Sequence, residues 1–270
     1  MAVQMIVTDM NGTLLNNVQE FDKRRLERQL TKMKAAGIWF VVCSGNQFAH
    51  LKRLFSGMTT DNVIFVAENG ASIYQQGQEI FDGAIAANRL QDFLQHDWQL
   101  PLLKAARVIL VGAQGAYTLK GAPKRLVAVA RQFYDQLEEV TDLTQVTDTI
   151  KKISLSWDEG APKSIVPELN QLFKNSLVAQ DSGYGVIDLI RNNIGKLPAV
   201  QFLQQRFKVA NADVVAFGDG ANDLAMLQAV GNGYAMRNAS TTVKQAAKFV
   251  TTKDNEHSGV LATIEQLLAL

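Results

Sequence analysis

Apolar runs too short for helices alternate with helical periodicity along the first eighty residues. Met5-Ile6-Val7 leads into Thr8. Phe21, Leu26, Leu30 and Met33 then share one face of a helix predicted over Glu20 to Ala36, which Gly37 ends. Ile38 to Cys43 reads as a strand apolar on both faces, Gln47 to Phe55 as a helix, and Val63 to Val66 as another buried strand. Strands without a polar face belong inside a parallel sheet covered by helices. The pattern therefore predicts a doubly wound α/β core.

The rhythm changes after about Ile80. Val108 to Val111 and Ala116 to Leu119 flank Gly112-Ala113-Gln114-Gly115, a hairpin signature. Helices are predicted from Pro123 to about Leu137 and from Ser164 to Phe173. Lys152 to Trp157 alternates with period two and predicts a half-exposed strand, with further strands near Leu177 to Ala179 and Tyr184 to Ile187. Val214 to Phe217 restores the buried-strand pattern. Short strands at Gly233 to Met236 and Lys248 to Thr251 follow, and a helix from Gly259 to Leu268 closes the chain. The simplest organisation is one core built from residues 1–82 and 188–270, with an α+β module, residues 83–187, inserted between them.

Charge and cysteine content narrow the function classes. The 27 basic and 26 acidic residues are mixed along the chain, giving a net charge of +1 and no basic stripe, so no nucleic-acid partner is expected. Cys43 is the only cysteine, which excludes an internal disulfide and any zinc spacing. No apolar run approaches the ~20 residues of a membrane span, and Met1-Ala2-Val3-Gln4 lacks the features of a signal peptide. A soluble, cytoplasmic monomer or homodimer is the expectation.

The candidate chemistry sits where strands end. Asp9 follows the first strand, where α/β sheets place their ligands, and a carboxylate there can attack phosphorus or hold a hard cation. Gly12 permits a tight turn, and Thr13 offers a hydroxyl to a phosphate oxygen. Asp219 follows the Val214 strand, and Asp223 lies one turn into the next helix. Ordinary capping roles are open for Asp9, Asn222 and Asp223. Ser44-Gly45-Asn46 before a helix suits a phosphate cradle or a plain cap. Lys196 after Gly195 could balance phosphate charge. His50, His96 and His257 show no metal or triad spacing, and surface or capping roles are expected of them. Cys43 is expected buried, Trp98 and Trp157 are expected to pack, and Tyr184 and Gly185 lie near the crossing back to the core.

In this order, Asp9-Met10-Asn11-Gly12-Thr13, Ser44-Gly45-Asn46, Gly195-Lys196 and Gly218-Asp219-Gly220-Ala221-Asn222-Asp223 closely resemble the haloacid dehalogenase superfamily of phosphatases. The branch resembled is the Cof type with a large α/β cap, and Val66-Ala67-Glu68-Asn69-Gly70-Ala71 is similar to its phrase before the cap. The resemblance implies a phosphatase of small phosphorylated metabolites such as sugar phosphates. Asp9 would be nucleophile and Mg²⁺ ligand, with the backbone carbonyl of Asn11 a further ligand. Ser44 and Lys196 would hold the phosphoryl group, with Gly12, Thr13, Gly45 and Asn46 around it. Asp219 would bind the metal, Asp223 would support it, and Asn222 would orient the site. The inserted module would be the cap that carries specificity.

Position 11 departs from this pattern. The family has an acid there, which protonates the leaving oxygen and later activates water; Asn11 can do neither. General acid–base catalysis is worth ~10²–10⁴-fold, so binding should survive while turnover falls. The change could be engineered or recent, could mark a natural weak phosphatase or phospho-ligand binder, or could be reversed by slow deamidation of the Asn11-Gly12 pair. An engineered or recent change is favoured because every other site residue is intact. A phosphomutase is a third reading.

Overall fold

A computed structural model describes residues 3–183 and 185–268. The chain opens with β1 (Met5–Thr8), α1 (Lys23–Ala35), β2 (Trp39–Cys43), α2 (Phe48–Leu54), β3 (Val63–Ala67) and a hairpin of β4 (Ser72–Gln75) and β5 (Gln78–Asp82). The middle holds α3 (Ala87–Gln95), β6 (Arg107–Gly112), β7 (Ala116–Leu119), α4 (Lys124–Phe133), β8 (Leu137–Val140), β9 (Ile150–Ser156), α5 (Ile165–Phe173), β10 (Leu177–Asp181) and β11 (Val186–Arg191). It closes with α6 (Lys196–Phe207), β12 (Val214–Gly218), α7 (Leu224–Ala229), β13 (Asn232–Ala235), α8 (Thr241–Ala246), β14 (Phe249–Val250) and α9 (Gly259–Leu268).

These strands make two sheets. The first runs β14-β13-β12-β1-β2-β3-β4-β5, parallel from β14 through β3, with the last hairpin antiparallel. β1, β3 and β12 are buried throughout, which is why their sequences carry no polar face. Thr8 lies opposite both Phe217 and Val42, so the turns after β1, β2 and β12 leave the sheet at one edge. The Asp22 carboxylate caps α1 by accepting from the Arg25 amide. Leu26, Leu30 and Met33 bury its inner face, and Gly37 takes the positive φ that ends it.

The second sheet runs β10-β11-β9-β6-β7-β8 and is antiparallel except where β7 meets β8. One face buries Val108, Leu110, Ile153 and Leu155 beneath α3 and α5. The other packs Ile109 and Val111 against α4 and turns polar side chains toward the first sheet's edge. The two chain crossings pack side by side. Ala71, Ile190 and Ile194 form one small cluster, and Gly83 lies so close to Ala71 and Ile194 that a Cβ there would clash.

Several sequence expectations change. β9 is buried along nearly its whole length, because its polar face, Lys152 and Ser154, is covered by other protein groups instead of water. The helix predicted to reach Leu137 ends at Phe133, where Tyr134 turns extended, and Leu137 opens β8. α3 and the β4–β5 hairpin had no clear signal. Position 188, placed at the return to the core, lies inside β11, so the second sheet keeps the chain to Arg191. His50 is buried instead of exposed. Tyr184 lies outside the described residues. No helix among them is long and apolar enough to cross a membrane.

Candidate active site

Asp9 extends the sheet by one residue past β1, its amide donating to the Phe217 carbonyl at 3.0 Å. That bond places it next to the turn leaving β12. Gly12, at φ +73°, lets the chain double back under Asp219, and a Cβ there would collide with the Asp219 carboxylate. From the far end of the chain, α6 delivers Lys196. Its ammonium lies 2.6 Å from Asp9 Oδ1 and 2.6 Å from Asp223 Oδ1, with the lysine fully buried. Asp223 Oδ2 accepts from the amides of Asp219 (3.0 Å) and Gly220 (2.9 Å), so its own turn folds around it.

Charge in this cluster is unbalanced. Asp9, Asp219 and Asp223 each bring an oxygen within 4.8 Å of the others, and one ammonium faces them. Burial pushes the Asp9 carboxyl up to about 7; Lys196 opposes the rise, while Asp223 and Asp219 add to it. Burial also raises Asp219, against the hydrogen bond from Thr13. Burial works against charge on Lys196, yet Asp223 and Asp9 hold it above the ordinary lysine range. Crowded hard oxygen donors with excess negative charge fit a divalent cation such as Mg²⁺. Cys43 is not among the groups that meet in this cluster, and burial lifts its thiol to about 12.

A cavity of about 420 Å³ opens above this cluster. Asp9, Asn11, Ser44, Gly45, Asn46, Asp219 and Asn222 form its floor. Leu126, Val129 and Phe133 of α4 form an apolar wall, and Ser154, Ser156, Asp181 and Ser182 a polar one. The structure thus brings all the sequence-predicted site residues to one edge, with different duties for some. Thr13, expected against phosphate, is almost fully buried and donates to Asp219 Oδ1 at 2.7 Å, so it orients a carboxylate instead. Asn46 donates its side-chain amide to Asn11 Oδ1 at 2.9 Å, and Asn11 donates onward to Gln19 Oε1 at 2.9 Å. Ser44 Oγ accepts from the Asn46 amide at 3.1 Å, closing the cradle turn. Trp98 and Trp157 pack on the second sheet's core, and Cys43 is buried, as expected.

Sequence reasoning passed over a second polar group. Asp188, fully buried in β11, accepts from Lys152 (2.8 Å), Ser182 (2.6 Å) and Asn69 (3.0 Å) on Oδ2 and from Ser154 (2.6 Å) on Oδ1. Its signal was an acid amid the apolar run Val186-Ile187-Asp188-Leu189-Ile190, which no surface strand would need.

Comparisons with known proteins bear on the family and the fold. A sequence profile of haloacid dehalogenase-like hydrolases matches residues 6–264. The chain is 32% identical, over 99% of its length and 97% of the relative's, to the 5-amino-6-(5-phospho-D-ribitylamino)uracil phosphatase YbjI of Escherichia coli K12. It is 25% identical to the Bacillus subtilis phosphatase YwtE, named for the same compound, with 99% of both chains covered. The crystal structure of SMU.1108c from Streptococcus mutans UA159 superposes with a TM-score of 0.89 at 31% identity, covering 99% of this chain and 100% of that one.

Proposed function

Because the chain belongs to the haloacid dehalogenase-like hydrolases, we propose that it is a Mg²⁺-dependent phosphatase of small phosphorylated metabolites, slowed by Asn11. The observation that carries this reading is the meeting of Asp9, Lys196, Asp219 and Asp223 beneath one cavity. When bound, Mg²⁺ would offset the carboxylates and the phosphate's charge. The residues that would hold it are Asp9, the Asn11 carbonyl and Asp219. Asp223, engaged by Lys196 and two amides, would support them from behind.

The chemistry follows from what each group can do. Lys196 draws Asp9 toward its ionised form against burial and holds it in place, so that its carboxylate can attack phosphorus as the bond to the ester oxygen breaks. The Ser44 hydroxyl and the Gly45 amide steady the phosphoryl oxygens, because the Ser44 amide donates to the Val66 carbonyl and the Asn46 amide to Ser44 Oγ. The departing alcohol oxygen needs a proton, and the water that later releases phosphate from Asp9 must lose one. Asn11 can serve neither transfer, which confines the loss to rate.

The cavity size falls within the ~300–1,000 Å³ range of small-molecule sites. An apolar wall facing a polar one suits a phosphorylated polyol chain attached to a flatter, less polar group. The compound named for YbjI and YwtE has both parts and is the first substrate to try. A non-catalytic phospho-ligand binder remains the competing reading, favoured by the same Asn11 amide, whose oxygen and nitrogen both have partners.

The test is phosphate release from a panel of phosphorylated polyols and sugars, with Mg²⁺ and with chelator. Release that needs Mg²⁺ and disappears in Asp9→Asn supports the phosphatase. Tight Mg²⁺-dependent binding with no release, even from Asn11→Asp, would move the binding reading ahead.

A further inference from the structure

We propose that Asn69 is a positioning residue that ties the second sheet to both phosphate-facing turns of the first, through Asp188 on one side and Asn222 on the other. The inference rests on the phosphatase reading for the identity of those turns. Its geometry stands by itself.

Asn69 is completely buried, at φ +56°, between Glu68 at φ +47° and Gly70 at φ +97°. Two successive non-glycine residues in the left-handed region are costly, and persist where surroundings over-determine them. Here every polar group of the Asn69 side chain is used. Its Nδ2 donates to Asp188 Oδ2 at 3.0 Å and to Ser182 Oγ at 3.3 Å, both from the second sheet's side. Its Oδ1 accepts from Asn222 Nδ2 at 3.2 Å, in the turn that carries Asp219 and Asp223. Its backbone amide donates to the Ser44 carbonyl at 2.9 Å, in the cradle.

A second route leaves Asp188 for the same place. Lys152, paired with Asp188 at 2.8 Å, donates to the Gly45 carbonyl at 2.9 Å. Asp188 is therefore a buried node in the second sheet with one arm on each turn. Movement of that sheet relative to the first must break or strain both arms. An Asp at position 69 would still accept from Asn222, but would set a second carboxylate directly against Asp188, which Lys152 pairs. Exchanging the two residues restores one carboxylate, one amide and one ammonium in the same space.

The experiment compares Asn69→Asp, Asn69→Gly and the exchange variant Asn69→Asp/Asp188→Asn in the full chain. Calorimetry reads the affinity for inorganic phosphate in saturating Mg²⁺, and circular dichroism reads folding. Turnover in an Asn11→Asp background is a parallel readout, so absent turnover indicts the phosphatase reading and leaves the affinity test standing. The expected result is at least a tenfold loss of phosphate affinity in Asn69→Asp and Asn69→Gly, both folded, with kcat falling more than KM rises. The exchange variant should recover most of the affinity. Asn69→Gly tolerates the positive φ, so it reports the side chain alone if Asn69→Asp fails to fold. Affinity within twofold of the parent in Asn69→Gly, or no recovery on exchange of a folded Asn69→Asp, overturns the proposal.

Discussion

The side-chain amide of Asn46 donates to Asn11 Oδ1 at 2.9 Å, linking the turn after β2 to the turn after β1. A carboxylate at position 11 would accept the same bond. Gln19, which now accepts from Asn11 Nδ2, would need only to turn its amide and donate. Asn11→Asp should therefore fold as the parent does. Thermal unfolding in chelator should place its midpoint within about 3 °C of the parent's, a range that corresponds to about 1–2 kcal/mol for a chain of this size.

Lys196 is, among the described residues, the one cation paired with both Asp9 and Asp223, and all three are buried. Lys196→Met leaves two carboxylates without their partner, and breaking a buried pair costs roughly 3–5 kcal/mol. Urea unfolding in chelator should show a loss of that order, and Mg²⁺ should recover part of it.

Gly12 lies against the Asp219 carboxylate, where the turns after β1 and β12 meet. Gly12→Ala adds a methyl where the Asp219 carboxylate lies and strains a backbone at φ +73°. Mg²⁺ affinity, measured by titration, should fall at least tenfold while the sheet core stays folded.

Glu68 supplies a pH dependence separate from the metal cluster. Burial lifts its carboxyl from 4.5 to about 7, against the Phe48 amide and the nearby ammonium groups of Lys152 and Lys151. In the unfolded chain the group ionises first, so stability is full below pH 4.5 and is lost as pH rises toward 7. The loss is on the order of 3 kcal/mol. Glu68→Gln should flatten the stability difference across that window in saturating Mg²⁺. An unchanged slope would mean Glu68 is not the group responsible.

Much of the site was legible because chemistry at strand ends is local in sequence. Asp9, Ser44 and Asp219 each follow an apolar run, and parallel register alone brings them together. What was not legible depends on chain segments that meet only through topology. Thr13 looks like a phosphate contact until Asp219, 206 residues away, takes its hydroxyl. Lys152 and Ser154 alternate like a solvent face, yet the water they seem to expect is replaced by Asp188 and the Gly45 carbonyl. The Pro123 helix was read too long because Phe133 and Leu137 share helical spacing, whereas Leu137 packs from a strand.

The central claim is that Asp9 is an active nucleophile whose turnover is limited by the missing acid at position 11. Its most direct test is kcat/KM with Mg²⁺, which reports departure of the alcohol and not the later hydrolysis common to all substrates, for Asn11 and Asn11→Asp on an alkyl phosphate and p-nitrophenyl phosphate. An alkyl alcohol leaves only with a proton, whereas a nitrophenolate leaves without one. The account predicts that Asn11→Asp raises kcat/KM on the alkyl phosphate by ~10²–10⁴-fold and on the aryl phosphate by clearly less. Equal gains on both, or none on either, would contradict it.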